Sequence, residues 1–284
     1  MSMTSWKKLW AVVQLYRPPL LVLGFLASYS LLLWTGQETP GLKPVLVIFA
    51  IAFGNLAFNT FNEYFDRWTD AVNKPWKPLP SGMVSPQLAL WSAVAFLNVS
   101  AICTVLLSAL YDVFYLIGFV GYACAAVYNV LRKKDLVGNA FMAATYGIAA
   151  LMATYPEWPH MLFAAPFTLY TMTVNILAQW QDIEADRASG LVTAPIQLGR
   201  RLLPFCLSLS AVGITCFTWL YLYFRRLFLL LCVAAYSVVV PSGYCVAKGD
   251  RQLFEWVWRR IGRLLLIVAF LWLVLESYLP KFVV

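Results

Sequence analysis

The chain has 284 residues, 62% of them hydrophobic and 12% charged, with a mean hydropathy of +0.73. A soluble chain carries about a quarter charged residues, so these values exclude a water-soluble globular fold and point to an all-α, polytopic membrane protein. The formal charge of +8 does not indicate nucleic acid, because the basic residues are dispersed over short loops between apolar runs.

A hydrocarbon core of about 30 Å takes about 20 helical residues. On that basis the sequence predicts nine spans, near 18–35, 44–62, 87–108, 112–130, 139–155, 160–180, 203–224, 227–247 and 264–280. They form a single membrane domain over residues 1–284, with no low-complexity segment and no cleavable signal pattern. The first apolar run, near Leu20, becomes the first span. Of the 21 basic residues, 17 fall in alternate loops with the N-terminus, and the other four are Lys43, Arg225, Arg226 and Lys281. The positive-inside rule places the rich side in the cytoplasm and, with nine spans, the C-terminus outside. The pair Arg225–Arg226 runs against the rule. Residues 250–263, "DRQLFEWVWRRIGR", alternate aromatic and basic residues and read as an amphipathic interfacial helix with Trp256 and Trp258 at the headgroups. The six cysteines lie in or beside apolar runs without a CxxC and read as buried small side chains. The single histidine, His160, excludes a His-based metal site or triad.

Nine of the thirteen acids share the basic side, which orientation does not require. Asn62, Asp66 and Asp70 follow one another at intervals of four and share one helix face, each about a turn beyond the last. Asp182 and Asp186 repeat the spacing, each 116 residues after its counterpart. Both pairs end an even-numbered span and lead into a loop of small residues and proline. Ligands that are all oxygen favour Mg²⁺ or Ca²⁺ over zinc. Two acid pairs on one cavity suit Mg²⁺ bridging a diphosphate. Lys74, Lys77, Arg132, Lys133 and Lys134 would hold the remaining phosphate charge, and an aromatic-rich cavity would house an isoprenoid tail. The bland alternatives are solvated acidic caps and topogenic loops. The matched pair of motifs favours the functional reading.

These residues resemble the UbiA superfamily of intramembrane prenyltransferases. "NEYFDRWTD" matches its N-(D)-x-x-D-x-x-x-D motif, "NKPWKPLPSG" is similar to its KPxRPLPSG extension, and "DIEADRASG" with "TAPIQLG" matches its second acidic region. "VYNVLRKKDLVGN" resembles its Tyr…Lys-Lys…Gly-Asn loop, and Arg17–Pro18 matches a feature before the first span. The motif wording is closest to digeranylgeranylglyceryl phosphate synthase and chlorophyll synthase types. The resemblance implies a nine-helix bundle around a central cavity capped by cytoplasmic loops. It implies that Asn62, Asp66, Asp70, Asp182 and Asp186 hold Mg²⁺ and the diphosphate. Lys74, Lys77, Lys133 and Arg132 would lie on the phosphates, Tyr128 near the reacting carbon and Arg17 near the acceptor side. An interface aromatic is the alternative for Tyr128, and a topogenic role for Arg132 and Lys134. Three positions depart from the family: Glu63 for its Asp, Gln179 for an acid, and Ala178 for a lysine. The expected reaction joins a prenyl diphosphate to an apolar or amphiphilic acceptor in the bilayer. A terpene cyclase of the same fold and, more remotely, a cation-coupled transporter are the rivals. Acceptor, chain length and oligomeric state are left open by the motifs.

Overall fold

The computed structural model describes residues 3–36, 41–131 and 135–278. Every regular element among them is helical. A short amphipathic helix α1 (Met3–Leu15) turns at Arg17 into α2 (Pro18–Trp34). Then follow α3 (Leu42–Asn73), α4 (Pro86–Leu110) and α5 (Ile117–Ala126), the last running into a π turn at Val127–Leu131. Next come α6 (Leu136–Thr154), the one-turn α7 (Trp158–Met161), α8 (Ala164–Trp180), α9 (Ile183–Ala188) and α10 (Ala194–Leu198). The chain closes with α11 (Leu202–Phe224), α12 (Leu227–Ser237), α13 (Val239–Lys248), α14 (Arg251–Phe254) and α15 (Arg263–Tyr278).

Seven helical segments are long and apolar enough to cross a membrane: Leu42–Val72, Pro86–Leu110, Val113–Val130, Leu136–Thr154, Trp158–Trp180, Ala194–Phe224 and Leu227–Lys248. Two shorter apolar helices, Leu21–Trp34 and Leu264–Tyr278, fall at the first and last predicted spans. The main difference from the expected boundaries is α3, which continues eleven residues past position 62 and carries the acid stripe out of the apolar zone as unbroken helix. The expected interfacial segment at 250–263 is helical but enters α15 through a π turn at Glu255–Gly262. Its Trp256 is exposed, and Phe254 is buried against Trp180, with ring centroids 5.4 Å apart. The Trp258 side chain lies outside the described residues.

The helices approach closely where side chains are small and where polar groups bridge them, as expected when lipid removes the hydrophobic drive between spans. A Cβ on Gly213 of α11 would lie 2.6 Å from the Tyr236 ring of α12. The Tyr122 hydroxyl of α5 meets Ser100 Oγ at 2.6 Å and Thr104 Oγ1 at 2.7 Å on α4, and Ser100 donates to the Ala50 carbonyl of α3. All six cysteines are free, four of them buried.

Two faces are distinguishable. α2 rises about 26 Å over its 17 residues at 1.5 Å each, from Arg17 at one end to Trp34 at the other. The Trp34 ring touches those of His160, Phe163, Phe224 and Phe228. The Leu227 amide, next to Arg225–Arg226, donates to Glu276 Oε1 near the end of α15. The Arg225–Arg226 turn therefore lies at the end of the bundle opposite Arg17.

Candidate active site

The Arg17 end gathers the charged residues singled out in the sequence. Asp66, Asp70 and Glu63 are buried on α3 and Asp186 on α9. Asp182 sits just before α9, at a break that ends α8 at Trp180. The Asp186 amide still donates to the Asp182 carbonyl at 2.8 Å, so the second pair keeps one-turn spacing across the break.

Three cations bind these acids. Lys74 Nζ meets Asp182 Oδ2 at 2.6 Å, which ties the first motif to the second. Lys77 Nζ lies 2.7 Å from Asp70 Oδ2 and 3.2 Å from both Glu63 oxygens. Arg17 completes the set with an ion pair to Glu63. Burial alone would push the Arg17 guanidinium below its usual pKa, but Glu63, with Asp66 and Asp70 behind it, outweighs burial and raises it. Arg17 adopts a left-handed backbone, φ 48°. That conformation costs a non-glycine residue on the order of 1 kcal/mol or more, and here it reverses the chain between α1 and α2 at the ion pair. Three of the five carboxylates gathered here, Glu63, Asp70 and Asp182, thus pair with Arg17, Lys77 and Lys74.

The loop that carries the lysines is built by its prolines and by α1. Lys77 N–H donates to the Lys74 carbonyl, Ser81 N–H to that of Lys77, and Val84 N–H to that of Pro78. Leu79 and Val84 are buried against Ala11 and Leu15 of α1 and Ala89 of α4. Arg132, Lys133 and Lys134 lie outside the described residues. The loop's exit is fixed, because Asp135 caps α6 through the Gly138 amide at 2.6 Å, and the Leu136 amide donates to Gln197 Oε1 of the "TAPIQLG" stretch at 2.8 Å.

Behind the acids lies a cavity of about 410 Å³, walled by α2, α3, α5, α6, α8 and α15. Arg17, Asn62 and Tyr128 line it. Tyr128 is buried on the π turn. Such π insertions are frequent at functional sites. Gln179 exchanges hydrogen bonds with Asn139, at 3.0 and 3.2 Å. Several groups here were not singled out in the sequence: Glu63 as the hub between Arg17 and Lys77, and Asn55, Asn59, Tyr146 and Asn175 in the cavity wall. The asparagines could have been found, since Asn55, Asn59 and Asn62 recur at helical spacing within an apolar span.

The donor set suits a hard divalent cation. It is all oxygen, four of its five members are carboxylates, and Asn62 Oδ1 is buried without a hydrogen-bond partner among the described residues. As they stand, no three acidic, histidine or cysteine side chains among the described residues are gathered closely enough to hold a metal. Instead, lysine ammoniums occupy Asp70 and Asp182.

The chain matches the UbiA prenyltransferase family over residues 21–274 and belongs to that family. It is 30% identical over 179 residues to the digeranylgeranylglyceryl phosphate synthase of Thermococcus kodakarensis, covering 61% of this chain and 63% of that one. To the synthase of the same description from Natronomonas pharaonis it is 36% identical over 168 residues, covering 56% and 59%. Each of these two matches spans less than two thirds of the relative's length. A longer match, 28% identical over 271 residues, covers 91% of this chain and 94% of the synthase of Methanothermobacter thermautotrophicus. Among solved structures, one of a digeranylgeranylglyceryl phosphate synthase superposes with a TM-score of 0.69 at 19% identity, covering 95% of this chain and 99% of that one. A UbiA homologue from Archaeoglobus fulgidus bound to GPP and Mg²⁺ superposes at 0.64 with 20% identity, covering 93% and 99%. These likenesses show the fold.

Proposed function

We propose that the chain transfers a prenyl group from an allylic prenyl diphosphate to an amphiphilic acceptor within the bilayer, in a Mg²⁺-dependent reaction that releases diphosphate. The observation that carries this reading is the joining of the two acid motifs at one cavity mouth by the Lys74–Asp182 bridge. The GPP and Mg²⁺ held by the Archaeoglobus fulgidus homologue and the prenylated products named for the archaeal relatives support it.

Asn62, Asp66, Asp70, Asp182 and Asp186 would hold the metal, which when bound supplies positive charge to the diphosphate leaving group. Lys74 and Lys77 exchange their carboxylate partners for phosphate oxygens. The prenyl chain lies in the cavity, whose Phe58, Tyr122 and Tyr146 exclude water and present aromatic faces to the allylic cation. As the bond from prenyl C1 to the diphosphate oxygen breaks, a nucleophilic atom of the acceptor bonds to C1. The acceptor's proton passes to the departing diphosphate. Tyr128, buried on its π turn, borders the reacting carbon. A terpene cyclase is the second reading, because the same cavity would shield an acceptor-free cation.

Asp66→Ala and Asp182→Ala should each reduce prenyl transfer by at least 1000-fold while the purified variants keep wild-type elution and helical content. Wild-type turnover by either variant would remove this assignment. A cyclic product formed from prenyl diphosphate without acceptor would establish the cyclase.

A further inference from the structure

The cavity wall is mostly apolar, with a few polar groups set into it and little charge. Arg17 is the single charged side chain among its described lining residues, and Glu63 already neutralises it. The other hydrogen-bonding groups include Asn55 and Asn59 on α3, Tyr146 on α6 and Asn175 on α8. Asn59 is satisfied, donating to the Asn55 side-chain oxygen at 2.5 Å and to its carbonyl at 2.8 Å. Asn175 is not: its Nδ2 is buried and has no hydrogen-bond partner among the described residues. A buried donor left unmet is destabilising, and the neighbouring α8 positions that line the cavity, Thr171, Val174 and Ala178, bring no charge to it.

A ligand oxygen would satisfy that donor, but a phosphate would bring negative charge to a wall whose one cation among the described residues, Arg17, is already held by the buried Glu63. An ion buried without a counter-charge is heavily penalised. Resting on the prenyl-transfer reading above, we infer that the acceptor is an uncharged amphiphile that presents a hydroxyl or carbonyl oxygen to Asn175. Its chemistry differs from the phosphorylated lipid named in the product of the archaeal relatives. Negative charge is handled at the mouth, by Lys74 and Lys77. The wall beyond Arg17 selects a neutral head.

The test uses the full chain in lipid nanodiscs with GPP and Mg²⁺. Three acceptors are compared: a prenylglycerol ether, the phosphate monoester of that ether, and an alkyl hydroquinone. Product and released diphosphate are both measured. We expect kcat/KM for at least one neutral acceptor to exceed that for the phosphate ester by on the order of 100-fold, and the ether and hydroquinone arms then separate a glycerolipid from an aromatic source. Equal or better use of the phosphate ester would overturn the inference and leave prenyl transfer standing. Absence of diphosphate release in every arm would overturn both. Asn175→Leu should raise the KM of the preferred neutral acceptor about tenfold with kcat within about twofold, and Asn175→Gln should recover part of that loss. Misfolding lowers the active fraction without moving KM, so an unchanged KM in Asn175→Leu counts against the assignment.

Discussion

Glu63 shows how one methylene group and one charge can organise a site. The sequence reads it as a mild replacement for the aspartate of the family motif. In the structure it is the one carboxylate shared by Arg17 and Lys77. The longer side chain reaches two cations that come from different segments, the α1–α2 turn and the lysine loop, and it contributes one of the five carboxylate charges at the mouth. Glu63→Gln keeps the shape and removes that charge. The Mg²⁺ concentration for half-maximal turnover should then rise about tenfold, equivalent to about 1.4 kcal/mol. A Mg²⁺ titration at saturating prenyl diphosphate checks this, and an unchanged midpoint would show that Glu63 does not contribute to the field that the cation experiences. The acid stripe itself was legible, because Asp66 and Asp70 fall on one helix face and recur 116 residues downstream. The role of Glu63 was not, because it depends on which distant cations the fold delivers.

At the level of elements, hydropathy placed the spans to within a few residues, since each must bury about 20 apolar positions. It failed where helix geometry and hydropathy part company. The apolar run of α3 stops near Phe61, but nothing in "NEYFDRWTDAVN" breaks a helix, so the rod continues to Asn73 and lifts the acids to the mouth. Nor does composition announce the π turn under Tyr128 or the break between Trp180 and Ile183. The least legible element is α1, a helix too short and polar to span. Its Ala11 and Leu15 close over Leu79 and Val84, and its far side exposes Trp6 and Trp10. It therefore packs over the lysine loop. Leu15→Ala should cost roughly 2–3 kcal/mol, concentrated in this small cluster. Hydrogen exchange at the Ser81, Gly82 and Val84 amides should quicken at least tenfold, while α11 and α12 exchange as before. Equal acceleration throughout the bundle would mean that α1 stabilises the whole fold and not the loop.

For the whole molecule, the charge distribution and the two ends of the bundle together predict an orientation. The sequence put 17 basic residues on one side but left Arg225–Arg226 as an exception. The structure carries that turn to the opposite end, through the Leu227–Glu276 hydrogen bond and the ring contacts between Trp34 and Phe224. Four basic residues, the two arginines with Lys43 and Lys281, opposed by 17 are too few to reverse a bundle, so the acid mouth should face the cytoplasm. With the six cysteines replaced, Ser81→Cys in the exposed lysine loop and Arg225→Cys in the far turn report on opposite faces. A membrane-impermeant maleimide added to intact cells should label Arg225→Cys and leave Ser81→Cys unmodified until the membrane is permeabilised. The reverse pattern would put the site outside, where the prenyl diphosphate would have to be supplied from across the membrane. Labelling of both positions in intact cells would contradict the two-faced arrangement itself, because α2, about 26 Å long, separates the Arg17 end from the Trp34 end.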